Sequence, residues 1–183
     1  FQLYNPYVTQ DLTIRDLVSH RVGLDTFSGD LLWYETNYSD DEILNRLKYL
    51  KPVKSFRSGF GYQNLMFIAA GKIIEKVSGK TWCDFVKTRI LNPLGMTRTT
   101  TSVKNLPNNA AFPHNESGGN SLRVLHRGNV DGAAAAAGLN SSVADMSRWI
   151  RLQLNHGDFE GKRIFSEKQA WEMHQPAVIL PIS

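Results

Sequence analysis

Apolar residues recur three and four positions apart along much of the chain, and this spacing predicts a mainly helical protein. The clearest stripe lies in residues 65–79, LMFIAAGKIIEKVSG, where Gly79 supplies the left-handed residue that ends a helix. Gly71, inside this stripe, costs a helix about 1 kcal/mol relative to alanine. We therefore expect a neighbouring element to approach the backbone closely at Gly71.

Other helices are predicted where a polar cap precedes an apolar stripe and Gly or Pro follows it. The first two of them look amphipathic and half exposed. The predicted helices are one capped by Thr13 and ended near Gly23, one capped by Asp40 and stopped by Pro52, one capped by Thr81 and ended by Asn92 and Pro93, one started by Ser142 with Asp145 and closed by Gly157, and one started by Ser166 with Gln169 and ended before Pro176.

Two stretches lack a clear helical period. Residues 95–129 are rich in Thr, Asn, Gly and Pro, which predicts a loop with short strands. Residues 131–138, DGAAAAAG, are helical by propensity, but a tightly packed turn is an equally open interpretation. No internal repeat or interdomain linker is evident, so residues 1–183 are expected to form a single domain that is mainly α with a few short strands.

The composition of the 183 residues, 42% hydrophobic and 21% charged, is that of a globular protein. The net charge of +4 is spread along the chain, so nucleic acid is not an expected partner. No apolar run reaches the roughly 18 residues that a membrane span needs. The five histidines show no metal-ligand spacing, and no glycine motif for phosphates is present, so neither a metal nor another cofactor is expected.

The sequence lacks the common patterns of nucleophilic catalysis. No G-x-S-x-G elbow occurs, since Phe56 lies two places before Ser58, and no serine precedes a lysine by three residues. The distinctive segment is instead Tyr62-Gln63-Asn64, on a glycine-bearing turn before the most apolar helix. In an extended turn, residues two apart point the same way, which would place a phenol and a carboxamide on one wall.

A simpler interpretation of this segment is that Tyr62 packs its ring on the core and Asn64 caps a helix beginning at Leu65. From the residues alone this interpretation is favoured. Lys54 and Arg57, just before the turn, could lower the pKa of a phenol or steer an acidic substrate, or could form a solvated basic turn. The residues by themselves leave both questions open.

Four segments, in order, resemble motifs of the serine β-lactamase-related family, which includes class C β-lactamases, DD-peptidases, related esterases and other penicillin-binding protein-like hydrolases. Residues 12–24, LTIRDLVSHRVGL, are similar to the family's T-I-R-x-L-L-x-H-x-S-G-L helix, with Val22 where serine is usual. Tyr62-Gln63-Asn64 is similar to its Y-x-N motif, residues 93–99 to P-L-G-M-x-x-T, and residues 137–146 to A-G-G-L-x-S-T-A-x-D-L. Four short motifs in the same order make the resemblance specific.

The resemblance implies the helical portion of the α+β β-lactamase/transpeptidase-like fold. It implies that Tyr62 assists acyl transfer as general base and then acid, and that Asn64 donates a hydrogen bond to the substrate. That substrate would be a small molecule or peptide with an amide, β-lactam or ester bond, and the setting periplasmic or secreted. The S-x-x-K segment would precede Phe1 and the K-T-G or H-x-G strand would follow Ser183, so the chain is expected to be an internal fragment and inactive alone.

A second hypothesis is a non-catalytic helical binding or scaffold module built on the same framework. It would hold if the parent protein lacks the nucleophilic serine or its lysine. The residues give no indication of the oligomeric state.

Overall fold

The computed structural model describes residues 1–117 and 121–180, and helices dominate its regular structure. The longer helices are joined by single helical turns and short loops. The helices are α1 (Pro6–Asp11), α2 (Ile14–Leu17), α3 (Asp40–Arg46), α4 (Asn64–Ser78), α5 (Trp82–Val86), α6 (Asn92–Leu94), α7 (Ala134–Ala137), α8 (Val143–Leu154) and α9 (Glu167–Met173). The predicted class, mainly α with a few short strands, is confirmed.

The strands form two short antiparallel hairpins. In one, β1 (His114–Ser117) pairs with β2 (Ser121–Val124), and in the other β3 (Asp158–Phe159) pairs with β4 (Lys162–Arg163). The first hairpin confirms the prediction of a loop with short strands for residues 95–129, of which residues 118–120 lie outside the described part.

Most of the predicted helix starts are confirmed by side-chain hydrogen bonds to the first turn. The hydroxyls of Ser142 and Ser166 each accept a backbone N–H at the start of α8 and α9. The start of α3 was predicted one residue too late, because Ser39 and not Asp40 is its cap. The Ser39 hydroxyl accepts from the Glu42 N–H, and the Glu42 carboxylate accepts from the Ser39 N–H at 2.9 Å, so the reciprocal pair fixes the start.

The prediction that a helix ends at Asn92 and Pro93 is wrong. After α5, a π-helical turn (Lys87–Leu91) leads directly into α6, and the chain leaves the helix only at Gly95, which is left-handed with φ 64°. Pro93 follows the π-helical turn without a break, and its fixed φ fits the helical backbone, so it does not stop the helix here.

The core is centred on α4, the longest helix. Leu65, Met66 and Ile68 of α4 are buried and belong to one cluster with Leu17 of α2 and Ile43 of α3. A second buried cluster joins the α5–α6 region to α8 and β3. The first cluster therefore anchors the start of α4, which immediately follows Tyr62.

Gly71 is a point of close approach, as its position inside α4 predicted. A Cβ built on Gly71 would lie 2.6 Å from the Cβ of Ala135 in α7. Residues 131–138 are both helical and tightly packed, so each of the two interpretations of this stretch describes part of the result. One 3₁₀ turn (Asp131–Ala133) and α7 form a helical segment that packs tightly on α4.

We expect Gly71→Ala to lower the free energy of unfolding by about 1 kcal/mol, because overpacking of about 1–3 kcal/mol outweighs the gain in helix propensity. Urea denaturation of the variant measures the loss. In the Gly71→Ala background, Ala135→Gly removes the opposing methyl and should be less harmful than in the wild type. A Gly71→Ala protein more stable than the wild type would contradict the close approach.

None of the described helices combines the length and the apolar character needed to cross a membrane.

Candidate active site

The segment that carries Tyr62 is held against residues 20–27 by backbone hydrogen bonds. The Tyr62 N–H donates to the Thr26 hydroxyl at 3.2 Å, and the Tyr62 carbonyl accepts from the Phe27 N–H at 2.9 Å. The next N–H, of Gln63, donates to Nδ1 of His20 at 2.9 Å. The segment is thus fixed on both sides of Tyr62 before α4 begins.

Gln63 sets the direction of its two neighbours. Its backbone is extended, with φ −133° and ψ 111°, and its side chain is buried and donates from Nε2 to the Asp25 carbonyl. Side chains alternate between the two sides of an extended segment. An extended residue at this position is the geometry that the Y-x-N interpretation requires for Tyr62 and Asn64 to share one side.

The Tyr62 ring is packed by aromatic neighbours but is not enclosed. It stacks on the imidazole of His20, with centroids 4.5 Å apart and planes at 26°, and it meets Phe27 edge-on at 5.4 Å. Tyr62 remains 38% exposed. The ring position is defined while the residue stays accessible to another molecule.

Asn64 does not cap α4, so that interpretation is wrong. Asn64 is the first residue of the helix, and Gln63, at the cap position, makes no capping side-chain bond. The amide Nδ2 of Asn64 donates instead to Oδ2 of Asp30 at 2.7 Å, and the other oxygen of Asp30 accepts from Nε1 of Trp33 at 3.0 Å. Because a carboxamide nitrogen carries two hydrogens, Asn64 keeps one donor beyond the bond to Asp30.

We expect Asn64→Asp to lower the free energy of unfolding at pH 7 by about 2 kcal/mol, since it places a second carboxylate at hydrogen-bond distance from Asp30 in a buried position. A shared proton relieves the repulsion, so the loss should shrink as the pH falls towards about 4. Thermal denaturation at both pH values measures this. The control Asn108→Asp, at an exposed loop position, should change stability little at either pH.

The two cations that precede the turn hold it in place. The Nζ of Lys54 donates to the Phe60 carbonyl at 2.7 Å. The guanidinium of Arg57 donates to the carboxylates of Asp11 and Asp16. The sequence suggested that these cations either act on a phenol or form a solvated basic turn. The structure shows instead that both make hydrogen bonds within the protein.

Asp16 is the buried centre of this charged network. Its two oxygens accept from Nε of Arg21 at 2.7 Å, from Nε and Nη2 of Arg57 at 3.0 and 2.8 Å, and from the N–H and hydroxyl of Thr13. Burial by itself raises the pKa of Asp16, but the hydrogen bonds from Arg57, Thr13 and Arg21 outweigh it and hold the pKa far below its usual value. Asp16 therefore stays ionised and ties α2 to the turn that leads to Tyr62.

Backbone strain concentrates around the same segment. Of the six described non-glycine residues with positive φ, three adjoin it: His20 at 56°, Phe27 at 61° and Arg57 at 62°. A bulky side chain in this region costs energy and persists where surrounding contacts enforce it, often at functional sites. His20 and Asp16 lie within the motif of residues 12–24, but no role was predicted for either of them. Motif position alone could have drawn attention to them.

A cavity of about 390 Å³ lies next to this region but is not the candidate site. It is lined mainly by apolar side chains between the start of the chain and residues 50–56, and neither Tyr62 nor Asn64 lines it. Among the residues that the structure describes, no three His, Cys, Asp or Glu side chains cluster as metal ligands would.

Comparison with known proteins gives a consistent set of relatives. A family model for Beta-lactamase matches residues 4–180. An unguisins hydrolase of Aspergillus campestris is 29% identical over 165 residues, which cover 84% of this chain and 30% of that protein. Penicillin-binding protein 4* of Bacillus subtilis is 33% identical over 106 residues, 51% of this chain and 22% of that protein.

Solved structures show the same fold. A D-amino acid amidase from Ochrobactrum anthropi SV3, in complex with L-phenylalanine amide, matches with a TM-score of 0.72 and 24% identity, over 90% of this chain and 47% of that one. An octameric penicillin-binding protein homologue from Pyrococcus abyssi matches with a TM-score of 0.72 and 21% identity, over 94% and 40% of the two chains. The chain spans less than half the length of each of these proteins.

Proposed function

Because the chain belongs to the β-lactamase family, we propose that it forms one wall of the active site of a serine hydrolase. The enzyme acts by acyl transfer, and Tyr62 and Asn64 are its Y-x-N motif. The observation that carries the proposal is the extended backbone at Gln63, which lies between Tyr62, 38% exposed, and Asn64, whose amide keeps one donor beyond its bond to Asp30. Rigid support under both side chains suits catalytic groups.

In this mechanism the Tyr62 phenol moves protons and Asn64 orients the substrate. A serine oxygen bonds to the substrate carbonyl carbon, its proton passes to a base, and the bond to the leaving group breaks as the phenol protonates that group. Water then attacks the acyl carbon as the nucleophile, and the serine oxygen leaves. The proton transfers therefore run from the water to the base and from the phenol to the serine oxygen. The spare N–H of Asn64 donates to the substrate and holds the carbonyl in place.

The serine and its lysine are proposed to lie in an S-x-x-K segment before residue 1, and a K-T-G or H-x-G strand after residue 183. This domain arrangement is supported by the short share of the relatives that the chain covers. On its own, the 183-residue chain is then expected to be inert. The name of one relative, a D-amino acid amidase, favours an amide bond in a small molecule or peptide over a β-lactam or ester.

Covalent labelling tests the proposal. The full-length protein and the 183-residue chain are each treated with a fluorophosphonate and with a fluorescent penicillin, and the masses of the intact proteins are measured. We expect one serine of the full-length protein to be labelled and the 183-residue chain to stay unlabelled. A labelled serine within residues 1–183 would overturn the division of the site. A full-length protein that neither probe labels would overturn the catalytic proposal in favour of a helical binding module.

A further inference from the structure

His20 lies in an aromatic setting directly beneath the candidate catalytic tyrosine. Its imidazole stacks on Tyr62 at 4.5 Å, and it also meets Phe67 at 5.2 Å and Phe60 edge-on at 5.5 Å. These centroid distances are those of interacting aromatic pairs. The imidazole therefore forms the surface on which the face of the Tyr62 ring rests.

The hydrogen bond to Gln63 defines the protonation state of His20. Nδ1 accepts from the Gln63 N–H at 2.9 Å, which requires a free lone pair on Nδ1. The neutral ring therefore carries its proton on Nε2. Burial among the aromatic rings lowers the pKa of His20 and favours this neutral form.

Charged groups on the neighbouring elements do not compete for this imidazole. Arg21, next to His20 in the chain, and Arg57, from the turn, both direct their guanidinium groups to Asp16. From α4 the contacting side chain is the uncharged ring of Phe67. The titratable side chain that stacks on His20 is Tyr62, with ring centroids 4.5 Å apart.

His20 also holds the backbone on both sides of Tyr62. Its carbonyl accepts from the Gly61 N–H at 2.9 Å, while Nδ1 binds the Gln63 N–H. His20 makes both bonds from a left-handed backbone conformation, with φ 56°. His20 therefore holds segment 61–63 on both sides of Tyr62, in addition to the bonds of that segment with Thr26 and Phe27.

We propose that neutral His20 is a positioning residue that fixes the Tyr62 ring and that releases it when the imidazole becomes protonated. Protonation would make Nδ1 a donor that faces the Gln63 N–H, which is also a donor. The hydrogen bond between them would therefore be lost. The catalytic consequence rests on the proposed function. The positioning itself does not.

The positioning is tested in the full-length protein by NMR of ¹³C-labelled tyrosine rings. In the wild type, the Tyr62 ring signals should move between pH 8 and pH 5 with a midpoint below about 6.5, the usual histidine value. Tyr62 signals that do not follow His20 protonation would overturn the proposal, and this titration needs no variant.

Two substitutions separate the ring from the hydrogen bond. His20→Asn keeps an acceptor near Nδ1 and tolerates positive φ, but removes the stacked ring. His20→Phe keeps a ring and removes the acceptor. We expect the pH-dependent shift of Tyr62 to disappear in both, and its ring-current shift to be lost only in His20→Asn.

His156→Asn is the matched control. His156 also has positive φ, 49°, and stacks on Trp171 at 4.5 Å and 21°, in a part of the chain that does not contact Tyr62. His156→Asn should lower the free energy of unfolding about as much as His20→Asn does and should leave the Tyr62 signals unchanged. Equal effects of the two histidine variants on Tyr62 would contradict a specific role for His20.

Kinetics connect the positioning to catalysis. We expect His20→Asn to lower kcat of the full-length enzyme about 10–100-fold with KM changed less than about twofold, because a small displacement of a proton-transferring group is costly. Unchanged kcat in both His20 variants would overturn the catalytic consequence. If instead Tyr62→Phe retains wild-type kcat, the proposed function fails, while the NMR result still decides whether His20 positions the ring.

Discussion

Asp16→Asn is expected to lower the free energy of unfolding by about 3 kcal/mol, because it removes the charge that two guanidinium groups share inside the protein. Arg21 and Arg57 both donate to the Asp16 carboxylate, which has no exposed surface. An asparagine offers one acceptor in place of two and turns an N–H₂ group towards donors. The side chain of Arg57 is 38% exposed and can regain water, so the loss should lie at the low end for a broken buried pair.

The same variant should change the response to acid. The pKa of Asp16 is lower in the folded protein than in the unfolded chain, where it is about 3.9. Its stabilising contribution is therefore complete above that value and is lost as the pH falls through the folded-state pKa. The difference in stability between the wild type and Asp16→Asn should be constant near neutral pH and shrink below about pH 4.

Urea denaturation across this pH range measures both effects, with Glu42→Gln as the control. Glu42 occupies the same position of a capping box, with Ser39 in the place of Thr13, but it is exposed. Its replacement should therefore cost much less stability than Asp16→Asn. Equal losses in the two variants would show that Asp16 acts only as a capping residue.

The helices could largely be predicted from the sequence, because periodicity and capping are local signals. The apolar stripe and Gly79 predicted α4, and serine caps predicted α8 and α9. The errors arose where two local signals competed. Ser39 and Asp40 are adjacent candidates for one cap, and Pro93 reads as a stop although a π-helical turn places it where a helix accepts it.

The candidate site could be predicted only in part, because its supporting contacts join distant residues. Spacing and family resemblance predicted Tyr62 and Asn64. The hydrogen bond from Asn64 to Asp30 spans 34 positions, and that from Gln63 to His20 spans 43. No periodicity encodes such pairs, so only the fold could show that Asn64 does not cap α4.

Tyr62→Phe is expected to lower kcat of the full-length enzyme about 10²–10⁴-fold, the usual contribution of a proton-transferring side chain. The substitution removes only the hydroxyl. The ring that stacks on His20 at 4.5 Å and meets Phe27 at 5.4 Å is retained, so stability should change by less than about 0.5 kcal/mol. Loss of activity in a protein of normal stability would then report the chemistry of the phenol.

The size of this effect depends on a cation outside the turn. A free phenol has a pKa of about 10, so a tyrosine that accepts a proton at neutral pH must be present as the phenolate, and this anion needs a nearby positive charge. Lys54 donates to the Phe60 carbonyl and Arg57 is bound to Asp16 and Asp11, so both cations beside the turn are already occupied. The lysine of the proposed S-x-x-K segment is the group that fits this requirement.

Steady-state hydrolysis of a D-amino-acid p-nitroanilide measures the prediction, with circular dichroism melting to confirm folding. Tyr49→Phe is the matched control, because Tyr49 is 72% exposed, has Lys48 Nζ 5.2 Å from its ring centre, and lies outside the candidate site. It should keep wild-type kcat. A folded Tyr62→Phe enzyme with kcat within about threefold of the wild type would show that the phenol transfers no proton. Tyr62 would then be only a ring that supports the wall, and the base and acid would have to lie elsewhere in the full-length protein.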